Sequence, residues 1–489
     1  MIKHSLVSAL VSLLLVISVA AQDGAPQIES KLDTIIQKLE VSQKTLNHVA
    51  AKVGGAEAPA TVPALSADAG TAAVKADIEA VQLNMNYIWM IMTGALVFIM
   101  QAGFAMVELG FARAKNSINI IMKNFLDFCI SALVFLFLGF GLMFGTSAGG
   151  WIGTDAFWLS NHAGDDKLWS FWFFQVVFAG TACTIVSGAM AERTKFVGYL
   201  IYAALLAAIV YPIGGHWAWG SFGGAYGVGG EKGWLEAMGF IDFAGSTVVH
   251  GCGGACALAG ILVVGARHGR FGKDGSPRLI AGHNIPLAAL GVFILWFGWF
   301  GFNAGSTLLA NASIGRIAVN TTIAPAAAAL SAMISMWFVQ GRPDVGITLN
   351  GALGGAVGVT ACCANISPAS AFVVGLVAGI ITTVATIALE RVRLDDAVGA
   401  IPVHLGNGWW GTLSVALFDD KGFSAEKLGI QALGTFSITL TAFVICYSIF
   451  KVVDLTIGLR ATDTEQIDGL DFSEHAANAY PDFQTTEQS

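Results

Sequence analysis

Residues 241–265 read IDFAGSTVVHGCGGACALAGILVVG. Apart from Asp242 and His250 the stretch holds only apolar, small or hydroxyl side chains, and ~20 helical residues cross the hydrocarbon of a bilayer. It is read as a transmembrane helix. Asp242, Ser246 and His250 recur at i, i+4 and i+8, which places them on one face of an ideal helix. His250 then lies about 12 Å from Asp242 at ~1.5 Å per residue. Polar groups cost free energy in hydrocarbon and persist where they face a partner or a pathway, so that face is the first candidate site.

Ten further stretches of the same kind flank this one: 86–110, 124–146, 169–191, 197–213, 283–306, 317–340, 345–362, 370–389, 397–418 and 430–457. The fold class expected is an all-α integral membrane protein with eleven transmembrane helices. Composition agrees, with 55% hydrophobic and 12% charged residues, where soluble domains carry roughly 25% charged. The 59 glycines let membrane helices approach closely. Membrane lipid is the expected surrounding, and nucleic acid is not an expected partner. The net charge of −8 sits largely at the two ends.

Residues 1–21 have the form of a signal peptide: Lys3 and His4, an apolar run from Leu6 to Ala20, then small residues. Residues 22–72 are read as an extracellular or periplasmic segment. Within it Ile28, Leu32, Ile35, Leu39, Ser42, Leu46, Val49 and Val53 follow steps of four and three, a heptad seam, and 54–72 form a linker rich in Ala, Gly and Pro. The transmembrane domain occupies 86–460, and 461–489 form an acidic cytoplasmic tail. With an exported amino terminus, the loops expected inside carry twelve Lys or Arg against five outside. The positive-inside rule therefore sets the amino terminus out and the carboxyl terminus in, in the plasma or inner membrane.

The fifth and tenth spans resemble one another. Val249-His250-Gly251 lies in one and Val403-His404-Leu405-Gly406 in the other, each within a glycine-rich run. Two halves of five spans each must be inverted in the membrane, and a 5+5 inverted repeat places binding at the interface between repeats. A single buried histidine is more often a hydrogen-bond partner between helices than a site. Two at matching places weigh against that reading. His404 and Asn407 share a face with Gly408 and Gly411. Phe174 and Phe178 are spaced i, i+4, and Trp299, Phe302 and Ser306 follow i, i+3 and i+7; by spacing alone such aromatics are packing or belt residues. The seven cysteines lie in or beside apolar segments and are read as small packing residues. His250, Cys252 and Cys256 do not converge as metal ligands on a helix, so neither metal nor cofactor is expected.

Asp242-Phe-Ala-Gly-Ser-Thr-Val-Val-His250, Gly298-Trp-Phe-Gly-Phe-Asn-Ala-Gly-Ser306, Ala189-Met-Ala-Glu-Arg193 and Gly469-Leu-Asp-x-x-Glu-His475 with Tyr480 together resemble the ammonium transporter (Amt/Mep/Rh) family, over about residues 86–482. The run from Asp395 to Gly408 resembles the cyanobacterial and algal branch. The resemblance implies an ammonium transporter and no enzyme. It implies that His250 and His404 are twin pore histidines and that Phe178 and Phe302 form a gate. Phe178, Trp219 and Ser306 would make an outer ammonium site, supported by Phe174 and Trp299, and Asp242 would be an acid needed for transport. It also implies a homotrimer and a PII-type regulator at the cytoplasmic face. Many members carry an aspartate where this chain has Gly399, which removes any inner role of that acid.

Rival readings are an ammonium sensor, an electroneutral Rh-type ammonia channel and a membrane metalloenzyme on His250, His404 and Asp242. About 30 residues follow Leu459, too few for the kinase or cyclase domain a sensor would carry, and no third close ligand set supports a metal. Asn311-Ala-Ser and Asn365-Ile-Ser are glycosylation sequons on loops expected outside.

Overall fold

A computed structural model describes residues 67–160 and 165–481, together with Gln37. The expected signal peptide, the heptad seam and the last eight residues of the tail lie outside the described residues. The chain divides into two units, Met1–Val81 and Gln82–Ser489. The described part of the first is a helical run that opens at Ala67. Residues 67–72 were expected as linker; their alanine content favours helix instead.

Among the described residues all regular structure is helical. Nine helices are long and apolar enough to cross a membrane. They are α1 (Val74–Phe111), α2 (Ala114–Phe144), α3 (Asp166–Met190), α4 (Phe196–Tyr226), α5 (Ser246–Val264), α6 (Ile285–Ala304), α7 (Ser313–Gln340), α9 (Pro368–Arg391) and α11 (Ala425–Thr456). The shorter α8 (Val345–Thr360) is also apolar, and α10 joins Ile401–Gly406 to Asn407–Leu417. The outer faces are greasy: Phe125, Phe293 and Phe338 are 67%, 67% and 88% exposed, which suits lipid and would aggregate in water. Inside, glycines set the spacing. A methyl on Gly291 of α6 would meet the Gly103 carbonyl of α1 at 2.7 Å, and one on Gly375 of α9 would meet the Ala324 carbonyl of α7 at 2.2 Å.

Several boundaries differ from expectation. α2 begins ten residues before 124, so Lys115 and Lys123 are helical, not loop charges, and Lys123 is buried. α4 runs past Pro212 to Tyr226 because a π-turn, Leu206–Val210, precedes the proline and re-phases the backbone hydrogen bonds. Trp219 therefore lies within α4, where its α-helical part passes into a final 3-10 stretch, instead of following the span. The fifth span starts at Ser246, not at 241.

Polar clusters tie alternate loops together. After α1, α3, α5 and α9, Arg113, Glu192, Arg267 and Asp395 form one buried set. Arg113 donates to Glu192 (2.8 Å), and Arg267 grips Asp395 through Nε and Nη2 (both 2.9 Å). Burial pushes both carboxyls up, but the guanidinia outweigh it and hold Glu192 below, and Asp395 well below, the usual carboxylate range. Arg193 completes the set, donating to the Ala189 and Ala191 carbonyls (2.7 and 3.0 Å). At the other end Arg316 joins the Asp420 carboxylate (2.7 Å) and the Ala364 carbonyl.

The described part of the tail is structured. Thr462 and Glu465 form a capping box for α12 (Asp463–Asp468), followed by α13 (Leu470–His475). Asp471 accepts from the Asn119 amide (2.8 Å) and Glu474 from the Phe196 amide (2.9 Å), so its acidic side chains satisfy the free N–H groups at the starts of α2 and α4.

Candidate functional site

Asp242 stands ahead of α5 and does not share a helical face with Ser246 and His250, as ideal spacing suggests. Its Oδ1 accepts the amides of Gly245 (2.9 Å) and Ser246 (2.8 Å), and its Oδ2 those of Thr247 and Val248 (both 2.8 Å). One buried carboxylate thus satisfies four orphan donors at a helix start, where the dipole favours negative charge. Gly245, at φ +112, makes the turn that lets it reach them. The Asp242 carbonyl accepts from Trp219 Nε1 (2.8 Å). Ser246 Oγ bridges the Val357 carbonyl and the Ala361 amide, both at 2.7 Å, and so is a tie to α8.

The same device recurs at α10 with an acid that the sequence reading passed over. Asp396 accepts from Gly399 and Ala400 (both 3.0 Å) and from Ile401 (2.7 Å), and Gly399 sits at φ +82. The signal was available: each histidine follows its acid by eight residues, with glycine at the third, Asp242-x2-Gly245-x4-His250 and Asp396-x2-Gly399-x4-His404. Asn407, expected beside His404, instead bonds Thr382 Oγ (2.9 Å) and the Pro402 carbonyl (3.2 Å).

Both histidines lie in π-turns, Ser246–Gly251 and Ile401–Gly406, and Phe302 lies in a third, Phe300–Ala304. Such turns widen a helix and re-aim its side chains. His250 and His404 meet through Nδ1 at 3.2 Å, their rings nearly parallel (19°) with centroids 5.2 Å apart. A neutral imidazole has one donor and one acceptor, so one Nδ1 donates and the other accepts. Moving a proton along the pair exchanges those roles.

Aromatic rings continue the stack. Phe302 is 5.2 Å from His250, and Phe178 is 4.2 Å beyond Phe302. Trp299 lies 5.2 Å from His250 at 24°, its Nε1 held by Thr360 Oγ (2.9 Å). Phe174 packs on Phe178 at 4.8 Å. His250, Phe302 and Trp299 are wholly buried. A small cavity adjoins each end. One is lined by Phe174, Phe178, Trp219 and Ser306; Ser306 donates to the Phe302 carbonyl (2.8 Å), leaving its lone pairs free. The other, about 20 Å³, is bordered by His404 and Gly399 and has room for about one water. His250, His404, Phe302, Phe178, Phe174 and Trp299 are thus in one ring stack, Trp219 and Ser306 line the cavity beside Phe178, and Asp242 meets Trp219 through its carbonyl.

Among the described residues no group of three His, Cys, Asp or Glu is placed to hold a metal ion. The cysteines are free, six of them buried.

The profile of the Ammonium Transporter Family matches residues 88–480. Ammonium transporter Amt2 of Archaeoglobus fulgidus is 44% identical over 433 residues, 83% of this chain and 90% of that protein. A putative ammonium transporter of Synechocystis is 41% identical, covering 81% of this chain and 90% of its own length. Among solved structures, one titled Sensor Amt Protein superposes with a TM-score of 0.78 at 42% identity, over 81% of this chain and all of that one. Mep2 of Candida albicans gives 0.70 at 24%, over 78% and 87%, a likeness of fold alone.

Proposed function

The chain belongs to the ammonium transporter family, a family of membrane transporters and not of enzymes, and from that premise we propose that it conducts ammonium by taking the ion apart. The observation that carries this reading is the closed column: two histidines in Nδ1 contact, roofed by Phe302 and Phe178. Ammonium is recruited at the cavity of Phe178, Trp219 and Ser306. There cation–π contact of ~0.5–2 kcal/mol and one hydroxyl acceptor replace part of its hydration. A full charge in a dry passage costs at least ~2.5–3.5 kcal/mol. Ammonium escapes that cost by shedding a proton; ammonia crosses beside the rings and the proton hops along the imidazole pair. Potassium has no proton to shed.

On this reading α1 to α11 are eleven spans in a 5+5 inverted repeat, amino terminus out and carboxyl terminus in, within the cell membrane. The shared Asp-x2-Gly-x4-His device of α5 and α10 supports the repeat, and the basic loop set supports the orientation. Homotrimers with one pore per subunit, and a PII-type protein meeting the cytoplasmic tail, follow from the family resemblance.

The test is current in proteoliposomes. Wild type passes ammonium and excludes potassium; His250→Ala loses that selectivity. Ammonium-selective current in His250→Ala without potassium leak sinks the proton relay. A second reading, an ammonium sensor, draws on the 42% identity to the structure titled Sensor Amt Protein. Saturable ammonium binding with no flux favours it. Uptake without current favours an electroneutral channel.

A further inference from the structure

The cavity below His404 is not wholly apolar. Glu108 of α1 lines it and is 2% exposed. Its Oε2 accepts from Asn124 Nδ2 (3.0 Å) on α2 and Ser187 Oγ (2.8 Å) on α3, which fixes the carboxyl group between three helices. Oε1 accepts from no group among the described residues. Asn350 of α8 lines the same cavity; its Nδ2 donates to the Val398 carbonyl (2.9 Å), and its Oδ1 likewise meets no donor. Lys123, next to Asn124 in sequence, gives its ammonium to the Thr194 carbonyl (2.5 Å) and forms no ion pair among the described residues. Two acceptor oxygens without donors thus border a space of about 20 Å³, the size of one water molecule. A buried carboxyl without an ion pair keeps its proton, because ionising it there is costly; beside a body that donates hydrogen bonds and carries positive charge it can ionise, and such a body satisfies both oxygens at once.

We propose that Glu108, with Asn350, forms a second cation site for ammonium and small primary alkylammonium ions on the far side of the histidine pair. The site rests on the conduction reading above and extends it. Ammonia leaving the column takes the Glu108 proton on its nitrogen lone pair, which leaves NH4+ paired with the Glu108 carboxylate. As NH4+ departs, the proton released by His404 restores the Glu108 acid and His404 returns to its neutral form. The carboxylate forms no covalent bond to nitrogen.

Trans-inhibition of the full-length protein in proteoliposomes tests this. Ammonium current is driven from the Trp219 side while ammonium or methylammonium is added at the Glu108 side. Glu108→Gln keeps an oxygen for Asn124 and Ser187 but places an NH2 group toward the cavity. Its half-inhibiting concentration from the Glu108 side rises about tenfold, the loss of one charged contact, while half-saturation from the Trp219 side stays unchanged. Glu108→Asp falls between. Asn350→Leu shifts inhibition in the same direction by a smaller factor and decides the matter if Glu108→Gln does not elute as intact protein. Unchanged trans-inhibition in folded Glu108→Gln, or in Asn350→Leu where it stands in, overturns the site. Absence of ammonium current in wild type instead overturns the conduction reading.

Discussion

Gly254 and Gly408 stand in the same relation to each other's helix. A methyl on Gly254 would lie 2.5 Å from the Leu405 nitrogen, and one on Gly408 would lie 3.0 Å from the Gly251 nitrogen. Each glycine follows its own histidine by four residues and touches the residue after the other's histidine. The two bare backbones therefore set how closely the imidazoles approach. Gly408→Val forces α5 and α10 apart, and overpacking of this kind costs typically ~1–3 kcal/mol. Its expected outcome is a lower Tm in detergent with ammonium current abolished; unaltered current would show that the glycines do not set the pair.

Asp242→Asn keeps one acceptor oxygen and loses the bonds made by the other. Hydrogen bonds to charged groups contribute roughly 1.5–3 kcal/mol each, so the start of α5 frays and transport falls by more than tenfold. Asp396→Asn acts in the same way at α10, with a smaller effect because three amides depend on it where four depend on Asp242. Thermal unfolding of the two variants side by side measures the order.

Phe302→Ala opens a gap between Phe178 and His250. Truncations of this size cost ~3–5 kcal/mol, and the space admits water next to the rings. The expected outcome is potassium leak measured as ammonium-independent current, with ammonium current retained. Phe302→Leu, which fills most of the volume, leaks less.

Asp395→Asn removes the two-pronged partner of Arg267 and leaves its buried guanidinium only the longer contact with Glu192 (3.5 Å); breaking a buried pair costs up to about 3–5 kcal/mol. The native carboxyl is held well below its unfolded value by Arg267 and Arg193 against the opposing effect of burial. Its contribution is therefore complete above pH ~4, the unfolded value, and is lost as pH falls from there toward the depressed folded value. Tm measured against pH should show wild type and variant far apart at pH 7 and converging below about pH 4. A gap that widens on acidification contradicts the assignment.

The long apolar helices and the greasy surface were legible in the chain because lipid imposes simple demands. Nearly every residue of a crossing helix is apolar, and any exception such as His250 or His404 has a reason to be there. Motif resemblance supplied the aromatic members, which spacing alone assigned to packing. Tertiary structure decided what local periodicity cannot carry. The π-turn at Leu206–Val210 carries α4 on past Pro212, and α5 opens only at Ser246, so ideal spacing ended α4 too soon and put Asp242 on a helical face it does not occupy. Glu108 gains meaning only from distant partners, Asn124, Ser187 and the space under His404, whereas Asp396 serves amides of its own helix start and was readable from its spacing to Gly399 and His404. The Nδ1 contact of 3.2 Å joins residues 154 positions apart; packing of two helices through bare glycine backbone fixes it, and a linear pattern holds no record of that distance.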